Sequence, residues 1–217
     1  SYAEAAELAY FGASILHPKT LSPVMEKKIP VQIRNIKNKE HQGTTIGENP
    51  AHSKVNLAVK GFTYLDAMTL INIEGTGMQG VPGTAKRVFD TLRQIDVSAF
   101  MISQSSSEQS ISIVIESTLS GKVKSNLEAE FQFELSTGHI TSIGYQDNIA
   151  IFAIVGDNMV SKRGVAAKLF GTLSTVGVNV KAIAQGSNER NISVAISQKD
   201  SVKALRAVHS AFLLSHN

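Results

Sequence analysis

Two glutamines stand at one offset, Gln104 and Gln185, separated by 185 − 104 = 81 residues, and each is followed four positions on by a glutamate, Glu108 and Glu189. Each Gln closes a run of strand-forming residues, and each Glu lies in a polar turn. An amide both donates and accepts hydrogen bonds. The two carboxylates either stay solvated or face a cationic group on a ligand. Upstream, at the same offset, Gly75, Met78 and Gly83 pair with Gly156, Met159 and Gly164. Such a loop lets backbone N–H groups meet a small anion, such as a carboxylate, at a helix N-terminus. The candidate binding residues are therefore Met78, Gly80, Val81, Pro82, Gly83, Ile102 and Gln104 in the first copy. In the second they are Asn158, Met159, Gly164, Ile183 and Gln185. Lys162 and Arg163 make the second loop chemically unlike the first.

Other chemistries fit less well. Gly75-Thr76-Gly77-Met78-Gln79-Gly80 satisfies G-x-G-x-x-G, but Asp96 sits in the turn before the next strand, where no ribose-binding carboxylate belongs. The second copy, Gly156-Asp157-Asn158-Met159, loses the pattern. His17 precedes Pro18 in a turn, and His41, His52, His139, His209 and His216 lack metal-ligand spacing. Phe89 and Phe170 occupy equivalent core positions. The chain has no Cys, which excludes disulfides and thiolate metal sites and agrees with a cytoplasmic location. No apolar run approaches a membrane span, and residues 1–20 lack the pattern of a signal peptide. A formal charge of +3, with scattered Lys and Arg, argues against nucleic acid as a partner. The strands Ile111–Ile115 and Ile192–Ile196 also lack the stacking aromatics of RNA-binding βαββαβ domains.

The elements that must position these residues also repeat, 74–115 over 155–196 without a gap. The first copy predicts strand Met68–Glu74, helix Pro82–Gln94, strands Val97–Gln104 and Ile111–Ser117, helix Gly121–Phe131 and strand Ile140–Tyr145. Pro82 suits a first helical turn, and Val81, Ala85, Val88, Phe89 and Leu92 form one apolar stripe. The second predicts Ile149–Val155, Arg163–Thr175, Val178–Gln185, Ile192–Ser197 and Asp200–Phe212. Its sixth strand is missing at the end of the chain, and Val55–Thr63 is expected to supply it. The fold class is α+β: two ferredoxin-like βαββαβ domains side by side, each an antiparallel sheet with two helices on one face. The first domain (65–146) is inserted in the second (51–64 and 147–217). Residues 1–50 have no repeat partner: a helix capped by Ser1 and Glu4 and running to Gly12, breakers at Pro18 and Pro23, a strand at Ile29–Arg34, and a linker over 38–54.

That first block, Ser1-Tyr2 through Glu7-Leu8-Ala9-Tyr10-Phe11-Gly12-Ala13 and Leu16-His17-Pro18-Lys19-Thr20, resembles the closing segment of the aspartokinase catalytic domain. Ile29-Pro30-Val31, Arg34-Asn35 and Gly43-Thr44 continue the likeness. The repeats look like the tandem ACT regulatory domains that follow it. Ile102-Ser103-Gln104-Ser105-Ser106-Ser107-Glu108 and Ile183-Ala184-Gln185-Gly186-Ser187-Asn188-Glu189 most resemble the bifunctional aspartokinase/homoserine dehydrogenases. The resemblance implies a sensor of L-threonine, with Gln104 and Gln185 touching the effector and the parent enzyme phosphorylating L-aspartate with MgATP. It implies a homodimer or higher oligomer through the ACT domains, and NADP where a dehydrogenase follows. The family's Lys-Phe-Gly-Gly nucleotide motif does not occur here, so no catalytic residue, metal or cofactor is expected in these 217 residues. A lysine-sensing region of a monofunctional enzyme and a ligand-free ACT scaffold are the alternative readings.

Overall fold

The computed structural model describes residues 1–12, 16–48 and 57–213. Helix α1 (Tyr2–Tyr10) starts at a capping box of Ser1 and Glu4, and α2 (Pro18–Glu26) follows with His17 Nδ1 accepting from the Lys19 N–H at 3.2 Å. Pro18 is therefore a helix start rather than a breaker, because the first turn needs no proline N–H. The helix also runs through Pro23. Short strands β1 (Val31–Ile33) and β2 (Thr44–Ile46) pair antiparallel, so part of the expected linker is a strand.

The remaining strands form one six-stranded antiparallel sheet. They are β3 (Gly61–Glu74), β4 (Met101–Gln104), β5 (Ser110–Glu116), β6 (Ser142–Val155), β7 (Val180–Ala184) and β8 (Asn191–Ser197), in the order β4-β5-β3-β6-β8-β7. The long central pair serves both repeats. Gly61–Leu65 of β3 pairs with Ile151–Val155 of β6, whereas Met68–Glu74 lies between β5 and the earlier part of β6. The expected Val55–Thr63 strand thus enters the sheet at Gly61; its residues 55 and 56 lie outside the described ones.

A backbone detail lets one strand serve two cores. Side chains alternate faces along a strand, and one inserted residue reverses the alternation beyond it. Ala67 and Asn148 have φ of 57° and 56°, and the ladder shifts register at this point. Before the bulge, Phe62 and Tyr64 face the core under the second repeat's helices; after it, Ile71 and Ile73 face the core under the first repeat's. In β6, Ile143 and Tyr145 face the first repeat's core, and Ala150, Phe152 and Ile154 the second repeat's. Without the two bulges, one half of each strand would turn its apolar set to the wrong side.

Helices α3 (Thr84–Gln94), α4 (Ser120–Glu130) and the short α5 (Gln132–Thr137) belong to the first repeat, α6 (Val165–Thr175) and α7 (Ser201–Leu213) to the second. The helix predicted from Pro82 begins two residues later. Gly83 is its cap in the left-handed region (φ 99°), which Gly adopts at little cost, and Pro82 lies in the preceding turn. The opposite face of the sheet carries a third core of Met68, Leu70, Met101, Val114, Ile149, Ile151, Ala153 and Ala195, into which Phe11 from the end of α1 inserts. The sheet curls over this core, bringing the outer strands β4 and β7 within 8 Å of each other between Cα atoms.

Candidate functional site

The first-copy candidates, all but Ile102, come together around one hollow of about 370 Å³. It is lined by Met78, Gly80, Val81, Pro82, Gly83, Thr84, Ala85, Gln104, Glu108 and Ile111. Local structure explains why. The loop after β3 folds into a tight turn in which the N–H groups of Met78, Gln79 and Val81 bond back to Gly75, Thr76 and Met78. These amides are satisfied within the loop and are not the free donors the sequence suggested. The first turn of α3, at Thr84 and Ala85, begins with no side-chain cap, so its N–H groups keep the orphan donor character of a helix start.

Across the hollow, Glu108 is held in the left-handed region (φ 57°) by its turn, and its carboxylate accepts from the Gly80 N–H at 3.2 Å. Gln104 ends β4 where the strand leaves the sheet. Among the described residues, neither Gln104 nor Gln185 gives or takes a side-chain hydrogen bond within the chain. Neither amide is consumed in capping its strand.

The two glutamines meet in a second hollow of about 440 Å³ between the edge strands. Phe11, Phe100, Ile102, Ser103, Gln104, Ile183, Gln185, Gly186, Asn191 and Ser193 are among its lining residues. Gln104 therefore borders both hollows. Ile102 and Ile183 are both about half exposed, 49% and 46%. Phe11 and Asn191 were missed from sequence. Phe11 read as part of a separate N-terminal block, and only the tertiary curl of the sheet brings it under the glutamines.

The second glycine loop is arranged differently. Met159 is buried, the Asn158 amide donates to the Leu57 carbonyl at 3.0 Å, and Asp157 pairs with Arg190 at 2.9 Å. The Asp157 N–H donates to Glu4 Oε1 of α1 at 2.8 Å. Gly164 caps α6 (φ 84°) and faces a smaller hollow of about 160 Å³ with Lys162, Arg163, Lys168 and Phe212. The corresponding place in the first repeat holds Arg87, which bonds Glu134 and, at 2.6 Å, Glu130 while its guanidinium lies 4.5 Å from the Phe131 ring centre. That guanidinium holds the Glu134 carboxyl below the usual carboxylate range.

Comparison with known proteins agrees with the geometry. The profile of the ACT domain family matches residues 71–131 and again 152–212, the same 81-residue offset. The chain is 46% identical over 220 residues to the chloroplastic bifunctional aspartokinase/homoserine dehydrogenase of Daucus carota, covering 99% of this chain and 24% of that protein. It is 39% identical to the bifunctional enzyme of Haemophilus influenzae, covering 97% of this chain and 26% of the relative. The chain thus spans about a quarter of the length of these relatives. Among solved structures, the aspartate kinase of Clostridium acetobutylicum superposes with a TM-score of 0.85 at 31% identity, over 97% of this chain and 48% of that one. The regulatory subunit of aspartate kinase from Thermus thermophilus gives 0.60 at 28% identity, over 71% of this chain and 99% of the subunit. The chain belongs to the ACT domain family and carries the domain in tandem, in the arrangement of an aspartokinase regulatory region.

Proposed function

We propose that this chain is the feedback sensor of a longer protein that phosphorylates L-aspartate with MgATP, and that its effector is L-threonine. One observation carries the reading: an uncapped helix start, an amide with no side-chain partner among the described residues and a carboxylate surround a single hollow of about 370 Å³. A free amino acid needs those three things. Its carboxylate meets the first-turn N–H groups of α3, its ammonium meets Glu108, and a short hydroxyl side chain exchanges hydrogen bonds with Gln104. A lysine side chain would need a second acidic group, and none is among the residues lining this hollow. In this reading the ACT domains also join two or more copies of the chain through the outer strands β4 and β7.

Calorimetric titration of the chain with threonine, lysine, methionine and S-adenosylmethionine tests the assignment. Saturable heat is expected for threonine. Gln104→Ala should weaken it about tenfold, the value of one well-made hydrogen bond with its desolvation. Heat with lysine alone would reassign the effector, and silence for all four would leave a scaffold without a ligand.

A further inference from the structure

The contacts of α1 are divided between the two repeats. At its start, Glu4 is 5% exposed, and its carboxylate accepts from the Asp157 N–H at 2.8 Å and from Lys60 Nζ at 3.1 Å. One turn later Glu7 accepts a hydrogen bond from the Asn191 amide at the start of β8. These contacts hold the second repeat at its glycine loop and at one wall of the hollow between the edge strands. At the other end, Tyr10 Oη donates to the Ala99 carbonyl at 3.3 Å, just before β4 of the first repeat. Phe11 packs into the shared inner core, and its carbonyl accepts from Thr63 Oγ1 at 2.7 Å. One nine-residue helix therefore reaches from the second repeat's glycine loop and the start of β8 to the residues just before β4.

The repeats themselves are joined by the paired central strands, interrupted at Ala67 and Asn148. A change in the separation of β4 and β7 must load the two ends of α1 unequally, because Glu4 and Glu7 hold only the second repeat and the far end alone, through Tyr10, reaches the first. Sequence alone gave no such role to Glu4, which read as a capping residue, or to Glu7, which read only as part of the helix that follows.

We propose that α1 is the element through which ligand occupancy of the two repeats is passed to the N-terminal block, with Glu4 and Glu7 as the positioning residues that couple the second repeat to it. The proposal rests on the sensor reading above. Neither carboxylate lines the hollow assigned to the effector, so their role is in transmission and not in ligand contact.

Coupling between two events is reciprocal: whatever factor the ligand adds to docking of α1, docking of α1 adds to ligand binding. Amide hydrogen exchange over α1, with and without saturating threonine, measures the first factor on the unmodified 217-residue chain. It should slow by about fivefold or more, the lower end of ordinary couplings. In Glu4→Ala and Glu7→Ala the slowing should shrink, and threonine affinity should fall by no more than the factor seen in exchange. Threonine heat with unchanged α1 exchange would overturn the relay and leave the sensor standing. Slowing of α1 that survives in both variants would also overturn it. Absence of heat with every amino acid tested would remove the sensor reading and the relay with it.

Discussion

At the scale of single residues, the chemistry divides between groups left open and groups already committed. Gln104 and Gln185 are open, whereas Asn158 and Asp157 are tied to Leu57 and Arg190. The residue types and their spacing made the glutamines legible from sequence. The commitment of the second loop was not legible, since its partners Glu4 and Leu57 lie 153 and 101 positions away. Arg87 is also committed, and its two carboxylate partners give a test of the electrostatics. Glu134 has a depressed pKa in the folded chain because Arg87 donates to its charged form. Its contribution is therefore present above the unfolded carboxylate range and is lost as pH falls through the lower folded value. Glu134→Gln should lower the thermal midpoint at neutral pH by the equivalent of about 0.5–1 kcal/mol for a half-buried, solvent-screened pair. Thermal melts of both proteins should converge as the pH drops below about 4. A constant gap down to pH 2 would show that packing, not charge, accounts for the difference.

At the scale of elements, the bulges in β3 and β6 decide how two repeats share one sheet. Ala67 is exposed and holds φ 57°, a region that costs an L-residue roughly 1–2 kcal/mol. Ala67→Val adds a β-branched side chain to a region already strained for Ala, and should destabilise the chain further in urea unfolding. Ala67→Gly should be near neutral or stabilising, as glycine removes the strain while loosening the unfolded chain. Equal, small effects for both would contradict the view that the bulge is held under strain. The sequence explains why the long strands were read as separate pieces. Asp66-Ala67 and Asp147-Asn148 look like turn residues between apolar runs, and in a strand such residues serve equally well as a bulge. The repeat itself reaches down to the backbone. Glu108 and Glu189, Ala67 and Asn148, and Asp96 and Gly177 all have positive φ at the one offset of 81. Helix α2 was illegible for a different reason: Pro23 breaks the local rule, and packing of Leu21 in the small N-terminal core outweighs it.

At the scale of the whole molecule, the duplication made the fold class readable without coordinates, and the ACT profile falls on the same two spans. What the duplication hid was asymmetry. The two glycine loops derive from one pattern, yet one borders an open hollow with Gln104 while the other fastens α1. Equal sequence position does not give equal surroundings once residues 1–12 pack against one side. Assembly belongs to this scale too: sedimentation at micromolar concentration should give a dimer or larger species, and a monomer with and without threonine would contradict association through β4 and β7. The central claim, that the hollow beside Gln104 takes a free amino acid, is tested most directly by heteronuclear NMR of the chain during a threonine titration. The Gln104 side-chain amide and the Thr84 and Ala85 backbone amides should shift together along one saturation curve. Saturable binding that leaves these three unmoved while resonances elsewhere respond would contradict the account.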